Sequence, residues 1–179
     1  PIRNMAGGED FNEVVFDNVL VPKDRIVGEP GNGWQQVTSE LAYERSGPER
    51  FLSSFRVFVE LVRICGDSPS PHQAAAIGRI ASHFMTLRRM SLSVAGMLEA
   101  GKDVSVEAAL VKELGNNFEK LLPEIARLVV PDLSAVDPDK QRLFRETFEE
   151  TLMLSPSFTL RGGTREIMRG VIARGLGLR

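Results

Sequence analysis

The sequence predicts a mainly α fold: an up-down four-helix bundle plus a short C-terminal helix, preceded by one or two short β-strands. Three observations lead there. Apolar residues recur at helical three- and four-residue spacing in three segments of about 25–30 residues each. Short stretches rich in Gly, Pro, Ser and Asp separate these segments, so consecutive helices must run antiparallel. Residues 10–22 look unlike the rest, and everything after Gly33 is helical in pattern.

That departing stretch reads "DFNEVVFDNVLVP". Phe11, Val14, Val15, Phe16, Val19 and Val21 are β-branched or aromatic, and Pro22 closes the run. It predicts one or two strands with a turn at Asp17-Asn18. Two strands alone are marginal, so they are expected to complete a sheet whose other strands lie outside this chain. Residues 23–33, "KDRIVGEPGNG", read as a loop.

The helices follow. The first segment is expected from Gly33 to Cys65, with Val37, Leu41, Phe51, Phe55, Val59 and Val62 on one face and a kink at Gly47-Pro48. Ser68 or Ser70 is the expected N-cap of the second, Pro71 to Ala100, whose stripe is Ile77, Ile80, Ala81, Phe84, Leu87, Val94 and Leu98 and which Gly101 ends. The third spans Ser105 to Val130, with Leu110, Leu114, Phe118, Leu121, Leu122, Ile125 and Val129 aligned. A fourth covers Asp139 to Leu154 and a short fifth Thr164 to Leu176. This divides the chain into residues 1–30, the end of a β-domain with its linker, and residues 31–179, the bundle.

Composition narrows the class of function. With 42% hydrophobic and 26% charged residues the chain is ordinary globular protein. A net charge of −2 and a pI near 5.8 give no bulk pull toward nucleic acid or an anionic membrane. The single cysteine, Cys65, excludes an internal disulfide and fits a reducing, cytoplasmic compartment. No apolar run reaches the roughly 18 residues a membrane span needs, and no signal peptide is visible. The first residue is Pro1, which suggests a piece of a longer polypeptide.

No HExxH, CxxC, nucleophile elbow or Walker motif is present, and no metal site is expected. His72 and His83 are isolated, and Cys65 reads as a small buried hydrophobe. The charges Arg142, Arg145, Glu146, Glu149 and Glu150 read as a solvated face. Glu44 stands out because helical spacing puts it on the stripe of Val37, Leu41, Pro48 and Phe51. A carboxylate there is either a general base in a dry pocket or one half of a bridge to an arginine inside the bundle. Gly162-Gly163-Thr164 offers backbone N–H groups at the start of the last helix. It is either an acceptor-binding spot or a plain glycine turn with Thr164 as N-cap.

Three stretches taken in order resemble the acyl-CoA dehydrogenase family. They are "DFNEVVFDNVLVPKDRIVGEPGNGW" (Asp10–Trp34), "LAYERSG" (Leu41–Gly47) and "GGTREIMRGVIARGLGLR" (Gly162–Arg179). Residues 50–155 resemble the family in helical pattern only. The resemblance implies the last strands of a middle β-domain followed by a C-terminal bundle, with FAD bound between the two. It implies oxidation of acyl-CoA thioesters to trans-2-enoyl-CoA, a carboxylate taking the α-proton while hydride passes from the β-carbon to the flavin. Many members place the base just before the Gly-Thr of the C-terminal signature, where this chain has Gly162. A subset places it at the glutamate of a Glu-Arg pair on the first bundle helix, which Glu44-Arg45 matches. Glu44 is therefore the candidate base, Arg45 a candidate substrate contact, and Gly163 and Thr164 candidate flavin contacts.

Two family motifs have no counterpart. "VRICGDSPSP" stands where members carry an Arg-x-x-Phe-Gly stretch, and "LVVPDLSAVDP" where they carry Gln-x-x-Gly-Gly; both reach the FAD of a neighbouring subunit. The resemblance leaves two functions: the C-terminal domain of an FAD-dependent dehydrogenase, or a subunit of the same fold that holds no flavin and works in a mixed oligomer. It implies an acyl-CoA substrate, an electron-transfer acceptor protein, and a homo- or hetero-oligomer, dimer or tetramer. On its own the 179-residue chain is expected to be inactive.

Overall fold

Local capping chemistry fixes the starts of two of the α-helices. The structure, a computed structural model, describes residues 1–178; Arg179, which closes the third quoted stretch, lies outside the described residues. Six α-helices occur among these residues: α1 (Gly33–Ser46), α2 (Phe55–Cys65), α3 (Pro71–Glu99), α4 (Ser105–Val129), α5 (Pro138–Leu154) and α6 (Arg165–Gly175). Ser70 starts α3 with a capping box. Its hydroxyl accepts from the Gln73 N–H at 3.3 Å, and its own N–H donates to Gln73 Oε1 at 2.9 Å. Gly101, at φ +69°, follows the end of α3. Asp137 caps α5 by accepting from the N–H groups of Asp139 and Lys140, both at 3.1 Å, with Pro138 at the first helical position.

The expected strands are absent. Among the described residues the only β-pairing is one isolated antiparallel bridge, Ile2 to Phe11, with the Ile2 N–H donating to the Phe11 carbonyl at 2.7 Å. Residues 12–21 take part in no backbone hydrogen bond, and Phe16, Val19 and Leu20 are exposed. β-Branched residues favour extended backbone, but a strand exists only where a neighbour completes the ladder, and residues 10–22 have none here. The Asp17-Asn18 bend is present, with Asn18 in the left-handed region at φ +47°.

The chain separates into two units, Pro1–Leu41 and the residues from Ala42 on, with the division inside α1. The first unit carries the bridge, a 3₁₀ turn at Lys23–Arg25 and the start of α1. The second is the helical bundle.

The helix expected from Gly33 to Cys65 is two helices. α1 stops at Ser46, a 3₁₀ turn runs Pro48–Arg50, and α2 starts at Phe55. Pro48 cannot donate a helical hydrogen bond and its ring blocks the preceding turn, so the kink becomes a break. Ser91 of α3 holds the end of α1, its hydroxyl donating to the Ser46 carbonyl at 2.6 Å.

α4 is the central element of the bundle, packed by α2, α3, α5 and α6. It is therefore buried on more than one face. Ala108, Val111, Phe118, Leu122 and Ala126 enter the apolar core, whereas Leu114 and Leu121, expected on the stripe, are about half exposed. Phe84 of α3 lies between Phe55 and Phe118, edge-on to each at 5.1 and 4.8 Å between centroids. A second face of α4 buries Lys112, Gly115, Asn116 and Glu119, at i, i+3, i+4 and i+7. That polar face positions the site.

Candidate functional site

Gly115 has no Cβ, and this lets the Pro48–Arg50 turn lie directly on α4. An added methyl group would run into the Arg50 carbonyl and sit 3.3 Å from Phe51 Cβ. The turn therefore delivers a buried Arg50 back toward α1. Its Nε donates to the Glu44 carbonyl at 2.7 Å and its Nη2 to the Glu44 carboxylate at 2.6 Å. One guanidinium thus fixes both the end of α1 and the side chain of Glu44.

The segment before α6 comes up on the other side. Gly162 and Gly163 sit in left-handed backbone at φ +63° and +106°, where a side chain would be strained. A methyl group on Gly162 would lie 2.8 Å from Glu44 Oε1 and 3.4 Å from Lys112 Cε. Two cations grip the turn by successive carbonyls. Arg45 Nε donates to the Gly162 oxygen at 3.2 Å, and Lys112 Nζ donates to the Gly163 oxygen at 2.6 Å. Thr164 occupies the N-cap position of α6 in extended backbone, and its side chain makes no capping hydrogen bond to the helix.

A second polar group supports the same segment. Glu119, fully buried on α4, accepts from the Ser53 N–H at 2.7 Å and from Arg161 Nη2 at 3.0 Å. Burial pushes its carboxyl above the ordinary value, against the Ser53 N–H and the Arg161 charge. Arg161 also donates to Ser53 Oγ at 3.1 Å and lies over the Phe158 ring at 4.9 Å. Glu113 anchors α6 by ion pairs to Arg165 and Arg169 at 3.2 and 3.1 Å.

The structure thus gathers Glu44, Arg45, Gly162 and Gly163 into one cluster, with Thr164 at its edge. Of the two readings of Glu44, the structure shows the bridge to an arginine: its side chain is ion-paired with buried Arg50 and, 41% exposed, does not sit in a dry pocket. Arg50, Lys112 and Glu119 escaped the sequence reading. The available signal was the spacing of Lys112, Asn116 and Glu119, which shares a face with two small residues, Ala108 and Gly115. His72 and His83 lie outside the cluster; both are exposed, and His83 stacks on Phe118 at 5.0 Å. Cys65 is half-buried, and burial raises its thiol pKa. Among the described residues no three His, Cys, Asp or Glu side chains gather to hold a metal. No described helix is long and apolar enough to cross a membrane.

The fit to FAD differs between its two ends. A glycine turn with its carbonyls held inward turns its N–H groups the opposite way, because a trans peptide sets C=O and N–H antiparallel. The N–H groups of Gly163 and Thr164 could therefore donate to an acceptor lying against that face of the turn. At the two segments where the family's pyrophosphate motifs would stand, the described residues offer no unpaired cation. Arg63, at the end of α2, is paired with Glu60 at 2.6 Å. Residues 130–137 hold no basic side chain, and Asp132 and Asp137 there cap backbone N–H groups.

No family model matches the chain. Acyl-CoA dehydrogenase IpdE1 of Mycolicibacterium smegmatis is 27% identical over 184 residues, covering 99% of this chain and 45% of that protein. Acyl-CoA dehydrogenase IpdE1 of Mycobacterium tuberculosis is 29% identical over 182 residues, covering 99% of this chain and 46% of that protein. The chain spans just under half the length of these curated relatives. Among solved structures, the glutaryl-coenzyme A dehydrogenase glutaryl-CoA complex matches with a TM-score of 0.71 at 18% identity, a likeness of fold over 91% of this chain and 42% of that one.

Proposed function

We propose that this chain, similar along its whole length to acyl-CoA dehydrogenases, is the C-terminal part of an FAD-dependent enzyme that oxidises acyl-CoA thioesters to trans-2-enoyl-CoA. The observation that carries the reading is the contact between Glu44 and Gly162. The resemblance offers two positions for the base, one on the first bundle helix and one at residue 162. In the fold these positions are neighbours, and the missing side chain of Gly162 leaves its space to the Glu44 carboxylate.

In this reading Glu44 accepts the α-proton of the thioester, and Arg50 holds its carboxylate in place beforehand, a saving in orientation. Arg45, half-buried with its Nε on the Gly162 carbonyl and next to Glu44 in sequence, would contact the substrate. Gly163 and Thr164 would hold the ring edge of FAD, which supplies the acceptor for the hydride leaving the β-carbon. An electron-transfer protein would then reoxidise the enzyme. Oligomerisation as a homo- or hetero-dimer or tetramer, and a cytoplasmic location, complete the proposal.

A second reading has specific support. The paired Arg63 and the acidic 130–137 segment give no cation to a pyrophosphate, as in a subunit that holds no flavin within a mixed oligomer. The intact protein separates the two. Flavin absorbance in the purified protein, with turnover lost by at least about a hundredfold in Glu44→Gln, supports the first reading. A colourless protein that gains activity only with a second chain supports the other. Full activity of the flavin-bearing Glu44→Gln variant removes Glu44 as base.

A further inference from the structure

Lys112 is the least expected residue of the cluster. It is 1% exposed, on the central helix, and its ammonium donates one hydrogen bond, to the Gly163 carbonyl. The charges around it are mostly of its own sign: Arg45 from α1, Arg50 from the 3₁₀ turn and Arg161 from the segment before Gly162. Glu113 on its own helix opposes them, and Glu44 lies across Gly162. Burial, then Arg50 and Arg45, bring its pKa down from 10.5 to about 8. A buried cation among cations costs stability. What it holds is therefore informative.

The bond to Gly163 constrains more than one oxygen. Gly163, at φ +106°, belongs to a backbone region that glycine enters readily and leaves readily. The peptide joining it to Thr164 is free to rotate unless one of its ends is tied. Tying the carbonyl to Lys112 turns the Thr164 N–H away from the lysine, because the two groups point oppositely across a trans peptide. That N–H precedes the first, unpaired N–H groups of α6.

We propose that Lys112 is a positioning residue: by holding the Gly163 carbonyl, it fixes the Gly163–Thr164 peptide so that its N–H is presented to the acceptor edge bound there. What the N–H meets rests on the proposed function; the orientation of the peptide does not. A charged donor grips a carbonyl more strongly than a neutral amine, so the hold weakens as Lys112 loses its proton.

Hydrogen exchange of the intact protein, read by mass spectrometry over residues 158–168, tests the proposal without relying on turnover. Lys112→Met is expected to lower protection there about tenfold, with α3 unchanged and with protection largely restored in Lys112→Arg. In the wild-type protein, protection of this segment, corrected for intrinsic exchange, is expected to fall several-fold from pH 7 to 9.5. If Lys112→Met does not fold, Lys112→Gln, neutral and too short to reach as the lysine does, is read in the same way, and wild-type protection in that variant overturns the proposal. If Lys112→Met keeps wild-type protection over 158–168, Lys112 does not position the turn. Turnover gives a separate result: kcat is expected to fall at least about tenfold in Lys112→Met with KM within about threefold. Absence of both flavin and acyl-CoA oxidation in the wild-type protein overturns the proposed function and leaves the exchange result standing.

Discussion

Glu44 and Gly162 are one feature seen from two ends. The carboxylate can stand where it does because residue 162 has no side chain, and Gly162 can adopt φ +63° for the same reason. Gly162→Ala puts the two costs together: left-handed backbone, and a methyl group 2.8 Å from Glu44 Oε1. Gly101 is a clean control, at φ +69° with open space around it. Both alanine variants should lose about 1–2 kcal/mol from backbone conformation. Gly162→Ala should lose more, and the excess in urea unfolding measures the contact with Glu44. Equal losses would mean that the carboxylate moves aside freely.

Between elements, the decisive contact is α4 against the Pro48–Arg50 turn at Gly115. Two effects of an alanine there oppose each other. Helix propensity favours it by about 1 kcal/mol, while overpacking costs about 1–3 kcal/mol. The obstacle is the Arg50 carbonyl, which is backbone and cannot swing away, so overpacking wins. Gly115→Ala should destabilise the bundle and displace Arg50 from Glu44. Gly96→Ala in α3, where nothing lies within 4 Å, should instead stabilise it. Thermal melts of the two variants should move in opposite directions; a stabilised Gly115→Ala would show that the turn does not need the close approach. The same contact explains why the sequence could locate the break near Pro48 but not its use. Proline chemistry is local, whereas delivery of Arg50 to Glu44 depends on a glycine 65 positions away (115 − 50).

For the molecule as a whole, the buried charges set a pH dependence. The folded-state pKa of Lys112 is about 8 against an ordinary 10.5. Between those values the unfolded chain binds a proton that the folded chain does not, so this group makes stability rise with pH through that window. Urea midpoints of the wild-type protein relative to Lys112→Met should therefore increase from pH 8 to 10.5. A constant difference would place Lys112 in a more solvated site than its burial implies. The exposed apolar residues Phe11, Val14, Val15 and Phe16 of the first unit act at this scale too. Their composition favours extended backbone, but pairing requires a partner edge, and this is why the expected strands do not form among the described residues.

By itself the sequence determined most of the helices, though not the separation of α1 from α2, because apolar period, caps and breakers are local: the Ser70 capping box, Gly101 and Asp137-Pro138 all lie within a few residues of the ends they set. It also singled out Glu44-Arg45 and Gly162-Gly163-Thr164, since a carboxylate on an apolar stripe and paired glycines before a helix stand out in one dimension. Only the tertiary structure decided that these two segments touch, with Arg45 reaching a carbonyl 117 positions away (162 − 45). It alone decided that Arg50 fixes Glu44, and that the central helix buries Lys112 and Glu119 rather than Leu114 and Leu121. The physical reason is that a helix surrounded by four others has no single apolar stripe. Which of its faces meets an apolar neighbour and which meets a turn with polar groups to satisfy is set by the packing of the whole bundle.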